Sequence, residues 1–124
     1  PLPKGSRDRD FAQAVHALIR PIAEEYAPEA LVVSCGFDLY QFDRLSGMNA
    51  TPEGYAMMTR FLMEIAETVC AGRIVFILEG GYNLRGVEEC ARGTLLELTG
   101  RSSLAPEKID RIRKTLLERD IPCE

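Results

Sequence analysis

Two short apolar runs, Leu31-Val32-Val33 and Ile74-Val75-Phe76-Ile77-Leu78, flank a long segment of helical periodicity. Neither run alternates apolar with polar residues, so both suit strands of a parallel sheet with both faces covered. Between them Tyr55, Met58, Leu62, Ile65 and Val69 recur along one helical face. Thr51-Pro52 supplies an N-cap and a proline in the first turn, and Gly72 supplies a stop. Two such strands joined by a helix predict a right-handed βαβ unit. The fold class is therefore read as α/β.

The rest of the chain fits around that unit. Phe11, Val15, Leu18, Ile19 and Ile22 predict a first helix, started by Asp8 and Asp10 and kinked or split by Pro21. Pro28 marks the turn into a strand over Ala30–Ser34. After the second strand, Val87, Cys90, Ala91, Thr94, Leu95 and Leu98 predict a helix stopped by Gly100. Ile109, Ile112, Leu116 and Leu117 predict a last amphipathic helix from Pro106 to Asp120, its charged residues in solvent. The loop from Gly36 to Ala50 reaches the ~12–15 residues beyond which loops are usually functional. Its Leu39, Tyr40, Phe42, Leu45 and Met48 must pack beneath it or line a site.

In a parallel α/β sheet, ligands sit beyond the carboxyl ends of the strands. Gly36-Phe37-Asp38 follows the first strand and Glu79-Gly80-Gly81-Tyr82-Asn83 the second. One loop thus delivers a carboxylate to the rim and the other a phenol. A carboxylate suits a divalent metal, and a phenol beside a metal suits an oxyanion. Taken singly, Asp38 reads equally as a turn former and Tyr82 as a core tyrosine. Gly80 and Gly81 favour the functional reading, because they let a substrate approach the backbone closely.

Composition narrows the partners. A net charge of -4 and a pI near 5.1 give no basic footprint for nucleic acid and disfavour adhesion to anionic membranes. No stretch approaches the ~18 apolar residues of a spanning helix, and no signal-peptide pattern opens the chain. Cys35, Cys70, Cys90 and Cys123 form no C-x-x-C pair. They are read as reduced thiols in a cytoplasmic protein. His16, the single histidine, is read as a surface or half-buried helix residue, and Met57, Met58 and Met63 as core filler.

Five blocks, the last running unbroken from Ile77 to Leu84, then carry a family resemblance from Pro1 to about Gly100. They are Pro1-Leu2-Pro3-Lys4-Gly5, Leu31-Val32-Val33-Ser34-Cys35-Gly36-Phe37-Asp38, Asp43-Arg44-Leu45-Ser46-Gly47, Thr51-Pro52-Glu53-Gly54-Tyr55 and Ile77-Leu78-Glu79-Gly80-Gly81-Tyr82-Asn83-Leu84. In order and spacing they resemble the histone deacetylase family, which includes acetylpolyamine amidohydrolases and acetoin-utilisation proteins. Glu79 before the two glycines looks more like the class II and bacterial branch.

The resemblance implies an arginase/deacetylase-like three-layer fold around a parallel sheet. It implies that residues 1–124 are the C-terminal portion of a catalytic domain, with 1–100 as family core and 101–124 as a C-terminal helical extension. The start at Pro1 rather than Met agrees with that. It implies Asp38 as a Zn2+ ligand, Tyr82 as the catalytic tyrosine, and Gly80, Gly81 and Leu45 as substrate-binding. The family's Asp-x-His ligands and tandem histidines match nothing here. The isolated chain is therefore expected to be inactive, to hold no zinc tightly and to self-associate. Glu79 and Asp43 are read as loop braces. The implied substrate is acetyl-lysine or a related acylated amine. Leu45 falls where acetylpolyamine-specific members can carry an acidic gatekeeper, and leucine leans away from polyamines. The alternatives are an acetylpolyamine amidohydrolase and a catalytically dead deacetylase-like scaffold. The two-metal arginase branch fits Glu-Gly-Gly-Tyr poorly.

Overall fold

The structure, a computed structural model, describes residues 1–117. The expected extension of the last helix to Asp120, the side chain of Leu117 and Cys123 lie outside the described residues. Strands β1 (Leu31–Cys35) and β2 (Ile74–Leu78) pair in parallel, in register from Leu31↔Ile74 to Cys35↔Leu78. Helix α3 (Pro52–Cys70) connects them.

Helix α3 is the hub. The Thr51 side chain caps it by accepting the Gly54 N–H at 3.1 Å. Asp8 reinforces that cap, accepting the Thr51 N–H at 2.8 Å and its hydroxyl at 2.7 Å. Asp8 therefore ties two helices together rather than only favouring its own N-terminus. Burial extends beyond the expected stripe, to Ala56, Met57, Thr59, Phe61 and Ala66, because neighbours lie on several sides of α3. One core cluster joins Ala12, Val15, Ala23, Phe61, Ile65 and residues of the C-terminal helix α5 (Pro106–Leu117). A second joins Phe11, Phe37, Tyr40, Ala50, Tyr55 and Cys90 beneath the long loop.

The first helical region is α1 (Asp8–Ala14), a π-helical turn over Val15–Ile19, and α2 (Arg20–Tyr26). Pro21 has no N–H and its ring would crowd the carbonyl one turn back. The wide turn accommodates it, with the Arg20 N–H reaching Val15 O. The split expected at Pro21 is thus realised as a π-turn. Leu18, Ile19 and Ile22, expected to face the core, are exposed, because the core-facing line runs through Ala12, Val15 and Ala23.

The sheet also departs from expectation. Leu31, Val33, Cys35, Ile74 and Phe76 are half-buried, but Val32, Ser34, Val75 and Ile77 on the opposite face are exposed. An uninterrupted apolar run shows that both faces of a strand are apolar. It does not show that this chain covers both.

Helix α4 (Leu84–Leu98) packs closely on α3: a Cβ on Gly93 would lie 3.0 Å from Pro52 O. Leu95, expected inward, is exposed, and Glu97 takes the inward place at 1% exposure. Its charge is matched by Arg60, whose Nη2 lies 2.7 Å away. Helical periodicity of apolar residues cannot signal a buried ion pair, because the charged position looks like a solvated one.

Candidate active site at the carboxyl ends of the strands

The two segments expected to carry chemistry leave the sheet side by side. The strand pairing continues past β1 and β2, with the Phe37 N–H donating to Gly80 O at 2.8 Å. The Asp38 carboxylate lies against this junction. A Cβ on Gly36 would meet Asp38 Oδ1 at 2.4 Å, and one on Gly80 would meet Asp38 Cγ at 3.0 Å. Among the described residues no hydrogen bond engages the half-buried Asp38 carboxylate, so it is available as a ligand.

Tyr55 fixes the loop that holds Asp38. From α3 its hydroxyl donates to Gly36 O at 2.9 Å and accepts the Leu39 N–H at 3.2 Å. Burial holds its ionisation well above the usual phenol range, so the hydroxyl keeps its proton and its donor role. Ser46 adds a bond from its hydroxyl to Asp38 O at 2.5 Å. Sequence reasoning treats Tyr55 only as part of an apolar stripe and a family block. Its brace depends on a contact between helix and loop that local periodicity does not encode.

Tyr82 presents its ring outward at 66% exposure. Its backbone is held: the Tyr82 N–H donates to Asp43 Oδ2 at 2.8 Å. Asp43 is buried and also accepts the Leu45 N–H on Oδ1 at 2.9 Å. The Leu45 N–H is the main reason its carboxyl lies below the ordinary carboxylate range; burial opposes the shift, and the Tyr82 and Asn83 N–H groups add to it. Asp43 is thus the brace expected from sequence. Glu79 is not: its side chain is exposed and makes no hydrogen bond among the described residues.

The glycines have internal reasons as well. The space beside Gly80 is taken by Asp38. Gly81 has φ 135, a backbone geometry that disfavours side chains, and a Cβ there would meet Val87 and Phe37. Of the loop's apolar residues, Phe37 and Tyr40 are buried, while Phe42 and Leu45 stand 64% and 68% exposed. Cys90 is buried in the cluster below, its thiol pushed up to about 12 by burial, and burial also raises Cys35. Cys35, Cys70 and Cys90 are free thiols. His16 is half-buried in the π-turn beside Arg20 and Glu64, apart from both loops.

Among the described residues no group of three or more His, Cys, Asp or Glu side chains is placed to hold a metal ion. Asp38 fits as a single oxygen ligand, because its carboxylate is unbonded and cradled by glycines.

Residues 1–98 match the histone deacetylase domain family. Histone deacetylase 10, chloroplastic, of Oryza sativa subsp. japonica is 37% identical over 85% of this chain and 24% of its own length. A probable deacetylase of Archaeoglobus fulgidus is 36% identical over 69% of this chain and 24% of its own length. The chain thus spans about a quarter of these relatives. The crystal structure of the HDA15 HD domain superposes with a TM-score of 0.72 at 31% identity, covering 94% of this chain and 33% of that one. The histone deacetylase Clr3 superposes with a TM-score of 0.71 at 28% identity, covering 96% of this chain and 21% of that one.

Proposed function

The chain belongs to the histone deacetylase family, and from that membership we propose that it carries part of the active site of a zinc-dependent amide hydrolase. The bond cleaved is the amide of acetyl-lysine or a related acylated amine. One observation carries the proposal: a free carboxylate and a phenol-bearing loop leave adjacent parallel strands together, with Asp38 packed against Gly80.

Asp38 supplies one of the three or four protein ligands that zinc sites use. With Asp38 as one of its ligands, zinc would supply polarisation of the acyl carbonyl and a lowered pKa of bound water. The phenol of Tyr82 donates a hydrogen bond to the carbonyl oxygen as negative charge develops on it. That bond strengthens toward the transition state, so it acts on rate more than on affinity. Gly80 and Gly81 border the approach to both groups, and exposed Leu45 sits on the rim. An uncharged rim residue offers no electrostatic pull on a polyamine, which favours acyl-lysine. The base and the acid of the reaction come from outside this chain, since its single histidine is remote from the loops.

The test is hydrolysis by a full-length protein carrying this segment. Acetyl-lysine peptides and acetylpolyamines are compared at equal concentration. Turnover of the peptides with higher kcat/KM is the expected result. Higher kcat/KM on acetylpolyamines would reverse the substrate assignment. Zinc-dependent activity on neither, in a folded protein, would leave the scaffold reading in its place.

A further inference from the structure

We propose that Asp43 is a positioning residue that aims Tyr82, by clamping the tyrosine's backbone and the Leu45 rim into one unit. The inference rests on the reading of Tyr82 as the oxyanion donor.

Little of the fold grips the Tyr82 ring among the described residues. It is exposed, and among the described residues its hydroxyl makes no hydrogen bond and its ring no aromatic contact. The two glycines before it impose little stiffness. The direction of the phenol is therefore set where the backbone of residue 82 is held. That hold is the 2.8 Å bond from its N–H to Asp43 Oδ2.

The hold continues on both sides. Asn83 Nδ2 donates to Phe42 O at 3.0 Å, while Asn83 Oδ1 accepts the Gly86 N–H and caps α4. Residues 42–43 and 82–83 thus exchange side-chain bonds to each other's backbone. The Asp43 N–H in turn donates to the carbonyl of Tyr40, a residue seated in the core. A continuous set of bonds runs from the core through Asp43 to Tyr82. Both Asp43 oxygens are used, one on the phenol loop and one on the rim loop. Bonds to an ionised acceptor are the stronger kind, and an amide in its place has only one oxygen to accept with.

The test is a double-mutant cycle in the full-length, zinc-loaded protein. Asp43→Asn should lower kcat by about 10- to 100-fold, the scale of a small misplacement of a reacting group, with KM nearly unchanged. In a Tyr82→Phe background the same substitution should add less than about threefold, because the group it aims is gone. Asp43→Glu keeps charge and acceptors but displaces them by one methylene; it is the second variant and should show the same non-additivity. Site-specific 3-fluorotyrosine at position 82 gives a readout without turnover. Its fluorine resonance should shift or broaden in Asp43→Asn at unchanged zinc content. Equal fold-losses in both backgrounds, or an unaltered resonance, would overturn the proposal. Unfolding of both Asp43 variants would also overturn it, assigning Asp43 to the fold alone. A folded wild-type protein inactive on acetyl-lysine peptides and acetylpolyamines alike would overturn the parent reading and this one with it. Activity with an additive cycle would overturn this one only.

Discussion

Asp38 and Asp43 lie in one loop and have opposite environments. Asp43 is buried with both oxygens bonded to backbone N–H groups, whereas Asp38, among the described residues, keeps its carboxylate unbonded in a glycine-lined recess. One holds structure, and the other is the carboxylate proposed to take a ligand. Replacing Asp38 with Asn removes the ligand's charge and little of its volume. In the full-length protein Asp38→Asn should weaken zinc binding by about 10-fold or more, within the range seen when groups around a metal are altered. Metal titration measures this directly, and excess zinc should restore part of the lost activity. Unchanged zinc affinity would remove Asp38 from the ligand set. Asp38 and Tyr82 stand out in sequence because each follows an apolar run and a glycine. Asp43 is legible as a loop brace but its reach to Tyr82 is not, nor is the grip of Tyr55, since these join segments far apart in the chain. The expected bracing by Glu79 fails for the same reason: adjacency in sequence says nothing about which loop a side chain faces.

At the scale of elements, the strand pair, α3 and its Thr51 cap follow directly from apolar spacing and cap chemistry. The other helices emerge with parts of their inward faces misassigned. Leu18, Ile22 and Leu95 look inward by periodicity yet are exposed, while Glu97 is buried against Arg60. The end of α3 is also finer than a glycine stop. Ala71 adopts a left-handed conformation, φ 51 and ψ 45, before Gly72 at φ 74. The Gly72 N–H then returns to Ala66 O at 3.0 Å. A left-handed alanine costs about 1–2 kcal/mol, partly offset in a glycine variant by the entropy of its unfolded chain. Ala71→Gly should therefore stabilise the fold by about 0.5–1 kcal/mol, seen as a higher urea midpoint. A lower midpoint would mean that the Ala71 methyl contributes packing that outweighs the strain.

For the whole molecule, the dominant feature is apolar surface left bare. Val32, Val75 and Ile77 line one side of the sheet, Leu78 is bare at the end of β2, and Leu18, Ile19, Ile22 and Tyr26 line the outside of the first helical region. Parallel sheets are almost always covered on both faces, and open strand edges and large apolar patches promote association. The isolated 124-residue chain should therefore self-associate at micromolar concentration. Sedimentation velocity showing a folded monomer across that range would contradict this. The proposed role of Tyr82 is to bring an oxyanion donor to the carboxyl ends of the strands. Tyr82→Phe tests it most directly, because it keeps the exposed ring and deletes only the hydroxyl. The expected result is a loss of about 100-fold or more in kcat on an acetyl-lysine peptide, with KM little changed and zinc content intact. Near-normal turnover by Tyr82→Phe would contradict it.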